Sequence, residues 1–137
     1  MEEIKPESRF GIPHNWIDTR VGIKERRFVD FSTKPFDLAI DGSKKALDSA
    51  GIRPEDIDLI IFCGIDRDYI EPSTAHVVQH TLGSRAICMD FSNACQGIIS
   101  GISVADAMIG SGSIETALIC FGETASHDIQ KLLFDSK

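Results

Sequence analysis

The sequence predicts an α/β fold built on a largely parallel sheet. Helix-like and strand-like stretches alternate between residues 37 and 121, the pattern of βαβ units joined by right-handed crossovers. The strand-like stretches are short and continuously apolar rather than alternating, as in strands covered on both faces. The connections are short, so a single layered α/β unit is expected.

Residues 1–34 are polar and irregular, with turn signals at Pro6, Gly11-Ile12-Pro13 and Gly22. Asp37 is placed to cap a helix over 37–50. Its Ala39, Ser43, Ala46, Leu47 and Ala50 fall at helical spacing, and Gly51 stops it. Leu59-Ile60-Ile61-Phe62-Cys63 is a buried strand. Ser73 opens a second helix over 73–82, which Gly83 ends, and residues 86–91 form a second strand. A third helix covers 96–109 and breaks at Gly110-Ser111-Gly112-Ser113, and residues 116–121 form a third strand.

That third helix has no polar face. Ile98, Ile99, Ile102, Val104, Ala105, Met108 and Ile109 spread around it, with Gly, Ser or Ala mostly between them. Such a helix is a buried helix. A small sheet covers one side only, so another half-domain or another chain is expected over the other.

The chain of 137 residues suits one domain. Its composition, 42% hydrophobic and 26% charged, is that of a globular protein. A net charge of −7 argues against a nucleic-acid or anionic-membrane surface, though not against a local basic site for a phosphate. No apolar run is long enough to span a membrane. Residues 1–10 are charged, unlike a secretory signal. Cys63, Cys88, Cys95 and Cys120 form no CxxC pair and no metal spacing. They are expected to be reduced thiols of a cytoplasmic protein.

Cys95 stands in Asp90-Phe91-Ser92-Asn93-Ala94-Cys95-Gln96-Gly97, where a strand ends and the apolar helix begins. A thiol at a helix N-terminus faces unpaired amides and the positive end of the helix dipole, which favour the thiolate. Gly97 permits close backbone approach, so a nearby N–H can support an oxyanion. The local sequence leaves two readings open: a nucleophile, or a small buried residue like the other cysteines.

Four stretches in order resemble the ketoacyl-acyl carrier protein synthase III-like family of the thiolase superfamily. They are Trp16-Ile17-Asp18-Thr19-Arg20-Val21-Gly22-Ile23-Lys24-Glu25-Arg26-Arg27; Ala46-Leu47 with Ala50-Gly51-Ile52 and Pro54-Glu55-Asp56-Ile57-Asp58; Pro72-Ser73-Thr74-Ala75 with Leu82-Gly83; and Asn93-Ala94-Cys95-Gln96-Gly97 with Ser111-Gly112 and Gly122-Glu123. The resemblance implies a thiolase-like N-terminal half, with residues 1–34 as a substrate-binding segment and 35–137 as a half-domain. It makes Cys95 the acyl-accepting nucleophile and Trp16 and Arg20 contacts for the coenzyme A nucleotide. A stacking ring and a phosphate-binding guanidinium suit that ligand. The family's catalytic histidine and asparagine come from a second half with no counterpart here, and its usual first strand is missing. The expected partners are acyl-CoA or acyl carrier protein, and a homodimer partner or a complementary C-terminal half chain. No cofactor, metal, nucleic acid or membrane span is expected.

Asp66-Arg67-Asp68-Tyr69-Ile70-Glu71-Pro72-Ser73-Thr74-Ala75 narrows the resemblance. Where chain-initiating synthases carry an apolar residue before Pro-Ser, this chain has Glu71. The stretch is similar to acyl-CoA condensing enzymes of the olefin-biosynthesis type, as is Gly122-Glu123-Thr124-Ala125. In that type the glutamate crosses the dimer interface. A malonyl donor forms its carbon nucleophile by losing carbon dioxide, whereas an unactivated acyl thioester needs a base for its α-proton. Burial would raise the pKa of Glu71 and strengthen it as that base. The implied function is acyl transfer to Cys95 followed by Claisen condensation to a β-keto product. The alternatives are a decarboxylating synthase using malonyl-acyl carrier protein and a non-catalytic half-subunit. His76 and His80 share a helix face but make no metal site by themselves. His14 and His127 are expected in solvent. Glu55, Asp56 and Asp58 are expected to be solvated, and Arg26 and Arg27 are either phosphate contacts or ion-paired surface residues.

Overall fold

The structure, a computed structural model, describes residues 16–25, 27–125 and 127. Pro6, Gly11-Ile12-Pro13, His14 and Arg26 lie outside the described residues. Six main elements follow one another: α1 (Pro35–Ala50), β1 (Leu59–Phe62), α2 (Thr74–Leu82), β2 (Ile87–Asp90), α3 (Gly97–Gly110) and β3 (Ala117–Cys120). A short π-helical turn, Ile17–Val21, interrupts the segment expected to be irregular, and a single 3₁₀ turn, Pro54–Asp56, precedes β1.

The sheet is parallel throughout, with β1 central in the order β2-β1-β3. The chain therefore moves outward from β1 to β2, then back past β1 to β3. Two crossovers of one hand in opposite directions must lie on opposite faces. They do: Ala75 and Val78 of α2 and Ala39 and Leu47 of α1 pack on Ile60, Phe62, Leu118 and Cys120. Ala105 of α3 packs with Leu59, Ile61, Cys63 and Ile114 on the reverse. With helices on both sides, Leu59, Ile60, Ile61 and Phe62 are wholly buried, which explains a strand with no polar alternation.

The start of α1 differs from the sequence expectation. Asp37 is not the cap but the third helical residue, and its carboxylate accepts the Lys34 N–H at 3.0 Å. Pro35 takes the first helical position, where its missing N–H costs nothing and its fixed φ favours the helix. Gly51 and Gly83 end α1 and α2 in left-handed conformations, as expected.

α3 is covered on its sheet side alone. Gly97, Gly101 and Ala105 are buried, whereas Ile98, Ile99, Ile102 and Ile109 are 40 to 60% exposed. The helix is apolar all round, yet among the described residues only one face is packed.

Candidate active site

β2 ends at Asp90, and four residues later the chain makes a tight turn. Ala94 has φ +45°, a left-handed conformation that a residue with a Cβ adopts only when its surroundings impose it. Two backbone hydrogen bonds close the turn, Gln96 N–H to Asn93 C=O and Gly97 N–H to Ala94 C=O, both at 3.0 Å. The Asn93 side-chain amide donates to the Ser100 hydroxyl at 2.8 Å, bracing the turn against the first turn of α3. Cys95 sits at the apex, exposed, two residues before the helix.

Gly97 fixes how close this apex lies to the sheet. A Cβ added there would come within 2.5 Å of the Cys63 carbonyl oxygen. One turn on, a Cβ at Gly101 would meet the Cys63 sulfur at 2.5 Å. The two glycines let the N-terminal turn of α3 lie directly on the end of β1. The Gly97 N–H is committed to Ala94, so any oxyanion donor must be a neighbouring amide; the contribution of Gly97 is the close approach.

The four thiols are free and differ sharply in setting. Cys63 and Cys120 are buried, and Cys88 is half-buried. Burial pushes the Cys120 thiol up to about 12. Burial, followed by the nearby Asp90 charge, also raises Cys63 and Cys88. Cys95 alone among them is exposed.

The loop between β1 and α2 carries Glu71, which is exposed, so the burial expected to strengthen it is not supplied by the described residues. The Glu71–Pro72 peptide is cis. Carboxylates staple this loop down. Asp66 accepts the Thr124 N–H at 2.8 Å, Glu123 accepts the Ile65 N–H, and Asp68 accepts the Phe36 N–H at 3.4 Å. Asp90 accepts the Thr74 and Ala75 N–H groups at 2.9 and 2.8 Å, with Arg67 Nε 3.9 Å away. Glu71 makes no such contact among the described residues.

These acids were not singled out in the sequence. Ser73 opens α2 as expected, as its N-cap residue; its hydroxyl hydrogen-bonds His76 Nδ1 at 2.6 Å, and the helix's first amides are capped by Asp90 from a neighbouring strand. Asp58 likewise is not simply solvated: its carboxylate accepts the Glu115 and Thr116 N–H groups at 2.8 and 3.0 Å. Asp56 pairs in bidentate fashion with Arg53. His127 packs at a tilt on Phe31, with ring centroids 4.9 Å apart and its Nε2 3.0 Å from the Asp30 carbonyl oxygen. No group of three metal-ligating side chains occurs among the described residues, and none of the described helices is long and apolar enough to cross a membrane.

Trp16 and Arg20 stand four residues apart on the π-helical turn, both exposed, and Gly22 ends that turn with φ +76°.

A family model of 3-oxoacyl-[acyl-carrier-protein] synthase III matches residues 89–132, which include the Cys95 turn, α3 and β3. The beta-ketoacyl-[acyl-carrier-protein] synthase III of Caldanaerobacter subterraneus subsp. tengcongensis is 43% identical over 112 residues, covering 81% of this chain and 34% of that protein. An acyl-CoA:acyl-CoA alkyltransferase of Xanthomonas campestris pv. campestris is 38% identical over 135 residues, covering 96% of this chain and 40% of that protein. The cerulenin-bound crystal structure of Xanthomonas campestris OleA superimposes with a TM-score of 0.82 at 37% identity, covering 93% of this chain and 38% of that one. The chain thus spans 34 to 40% of the length of these curated relatives. By sequence and by fold, it is a relative of the ketoacyl-acyl carrier protein synthase III-like condensing enzymes of the thiolase superfamily, with Xanthomonas OleA among its structural matches.

Proposed function

We propose that this chain contributes the nucleophile half of an acyl-condensing enzyme, with Cys95 accepting an acyl group as a thioester. The observation that carries this reading is the placement of Cys95: an exposed thiol on a strained turn, at the start of an apolar helix. The Cys95 thiolate attacks the carbonyl of an acyl-CoA or acyl-carrier-protein thioester, and the carrier thiolate leaves and takes up a proton. Ile98 and Ile99, three and four residues on, extend exposed apolar surface from the sulfur along α3, suited to a hydrocarbon chain. Trp16 and Arg20, exposed on one turn, are assigned to the coenzyme A nucleotide.

In the second half-reaction, Glu71 removes the α-proton of a second acyl thioester. The resulting carbanion attacks the Cys95-bound acyl carbonyl, the new carbon–carbon bond forms, and the cysteine thiolate departs. The product is a β-ketoacyl thioester. Support comes from the carboxylates around this loop: Asp66, Asp68, Asp90 and Glu123 are all spent on backbone amides, while Glu71 is not. OleA structures from Xanthomonas campestris include forms with a glutamate changed to Asp or Gln, a cysteine changed to Ser or Ala, and bound lauroyl-CoA. We assign burial of Glu71, the cover over α3 and the remaining proton-handling groups to a partner, either a second copy or a complementary half chain. We propose no metal or cofactor for this reaction. A cytoplasmic location is proposed from the four free thiols.

The runner-up is a decarboxylating synthase using malonyl-acyl carrier protein, favoured by the 43% identity to a synthase III. Glu71→Gln separates the two. With lauroyl-CoA and the full protein, intact mass should show the acyl adduct on Cys95 in wild type and E71Q alike, and condensation should fall in E71Q alone. No condensation between two lauroyl-CoA molecules, with condensation on malonyl-acyl carrier protein that E71Q leaves undiminished, favours the malonyl route. No adduct on Cys95, with the partner present, leaves the chain a non-catalytic half-subunit.

A further inference from the structure

We propose that Asp90 is a positioning residue for the condensation step, holding both limbs of the Glu71 loop against the strand that leads into the Cys95 turn. The proposal rests on Glu71 as the base.

The geometry is specific. The Asp90 side chain is 7% exposed, so its carboxylate works away from water. One oxygen accepts the Thr74 N–H at 2.9 Å and the other the Ala75 N–H at 2.8 Å. These amides lie three and four residues after Glu71. Arg67, four residues before Glu71, brings its Nε to 3.9 Å from the same carboxylate. Glu71 therefore sits in a span whose two ends converge on one side chain. That side chain closes β2, and the Phe91 N–H still pairs with the Phe62 carbonyl at 2.8 Å, so its backbone is fixed by the sheet. Cys95 lies five residues further on, past the end of β2, in a turn braced separately by Asn93 and Ser100. Losing the Asp90 anchor therefore displaces Glu71, whichever protomer's cysteine it serves, while leaving this chain's own nucleophile turn in place.

A plain helix cap would act differently. Removing it would weaken the fold and lower both half-reactions alike. A positioning residue should leave Cys95 acylation intact and lose condensation, because an ångström of misplacement at the reacting centre costs roughly 100-fold.

The test compares Asp90→Asn, Glu71→Gln, their double variant and Asp58→Asn in the full protein. Asp58 caps a different junction, by Glu115 and Thr116, and controls for lost stability. Acylation of Cys95 by lauroyl-CoA is followed by intact mass, and condensation by product formation from a second lauroyl-CoA. D90N should acylate within about 3-fold of wild type and condense roughly 10- to 100-fold more slowly, with the double variant no worse than E71Q. D58N should leave the ratio of the two steps unchanged. Should D90N fold poorly, Arg67→Gln, which touches only an exposed side chain, should shift the ratio the same way by a smaller factor. Equal loss in both steps by D90N, or no shift in ratio by R67Q, overturns the positioning role. If E71Q condenses normally, the base assignment falls instead; if E71Q is impaired and D90N is not, only the Asp90 proposal falls.

Discussion

The close seat of α3 on β1 yields a prediction that single contacts can decide. At Gly101 an added Cβ would meet the Cys63 sulfur at 2.5 Å, while its next neighbours, Ile119 Cγ2 at 3.5 Å and Ile61 Cγ2 at 3.8 Å, are at ordinary contact distance. Restoring a contact of 3.4 Å therefore demands about 0.9 Å of movement against one atom. Overpacking of this kind costs about 2 kcal/mol, and Ala gains about 1 kcal/mol over Gly in a helix interior. Gly101→Ala should thus destabilise by about 1 kcal/mol net. Cys63→Ala removes a buried sulfur and should cost about 1 kcal/mol. Together the two changes should nearly cancel, because the new methyl occupies the space the sulfur leaves and the helix propensity gain survives. Independent effects would give about 2 kcal/mol of loss, so the coupling should approach 2 kcal/mol.

Gly97 provides the internal control. Its added Cβ would meet the Cys63 backbone oxygen, which Cys63→Ala leaves in place. Gly97→Ala should stay destabilising in both backgrounds, with a coupling below about 0.5 kcal/mol. Urea unfolding of the four Gly101/Cys63 combinations, and of the matching Gly97 set, measures both. If Gly101→Ala costs the same with and without the Cys63 sulfur, the account of how α3 is seated is wrong.

Two further predictions follow from the titratable groups. At neutral pH iodoacetamide should label Cys95 at least about 10-fold faster than Cys63 or Cys120, whose thiols burial holds in the protonated form; peptide mapping with comparable labelling at Cys63 would contradict the burial assigned here. The Asp58 carboxyl is held below its ordinary value of 3.8, chiefly by the Glu115 and Thr116 amides. A depressed folded pKa contributes stability above the unfolded value and loses it as pH falls through the folded one. Asp58→Asn should therefore be less stable than wild type at pH near 7, with the gap closing below about pH 4; a gap independent of pH across urea titrations would rule out the charge as its cause.

The sequence made the fold legible because the strongest signals were local. β1 is uninterrupted Leu-Ile-Ile-Phe, Gly51 and Gly83 mark left-handed helix ends, and α3 lacks a polar face. The turn that carries Cys95 was legible for the same reason: the strand end, the turn and the apolar helix are contiguous. The expected cap at Asp37 failed because Pro35 could open α1 two residues earlier, using Asp37 from inside the helix. Asp66, Asp68 and Asp90 were illegible as staples, since each bonds an amide on a segment distant in sequence, and nothing in an Asp's neighbours announces such a partner. Gly97 and Gly101 looked like gaps in an apolar helix. Their reason is Cys63, more than thirty positions away and visible only once β1 lies beneath them.

These long-range staples bear on how the carboxylates should be weighed. Asp66, Asp68 and Glu71 share one loop, and Asp90 and Glu123 bond segments that flank it. A carboxylate that accepts backbone N–H groups has its oxygens turned to the main chain rather than to a substrate. Four of the five are used in that way, which ties the loop down at several points, and Glu71 makes no such bond among the described residues. A general base needs a fixed backbone and a side chain not already quenched by donors. The acidic surroundings of Glu71 thus serve as its scaffold, and under the proposed function the exposed residue at the centre is the one left to meet a substrate.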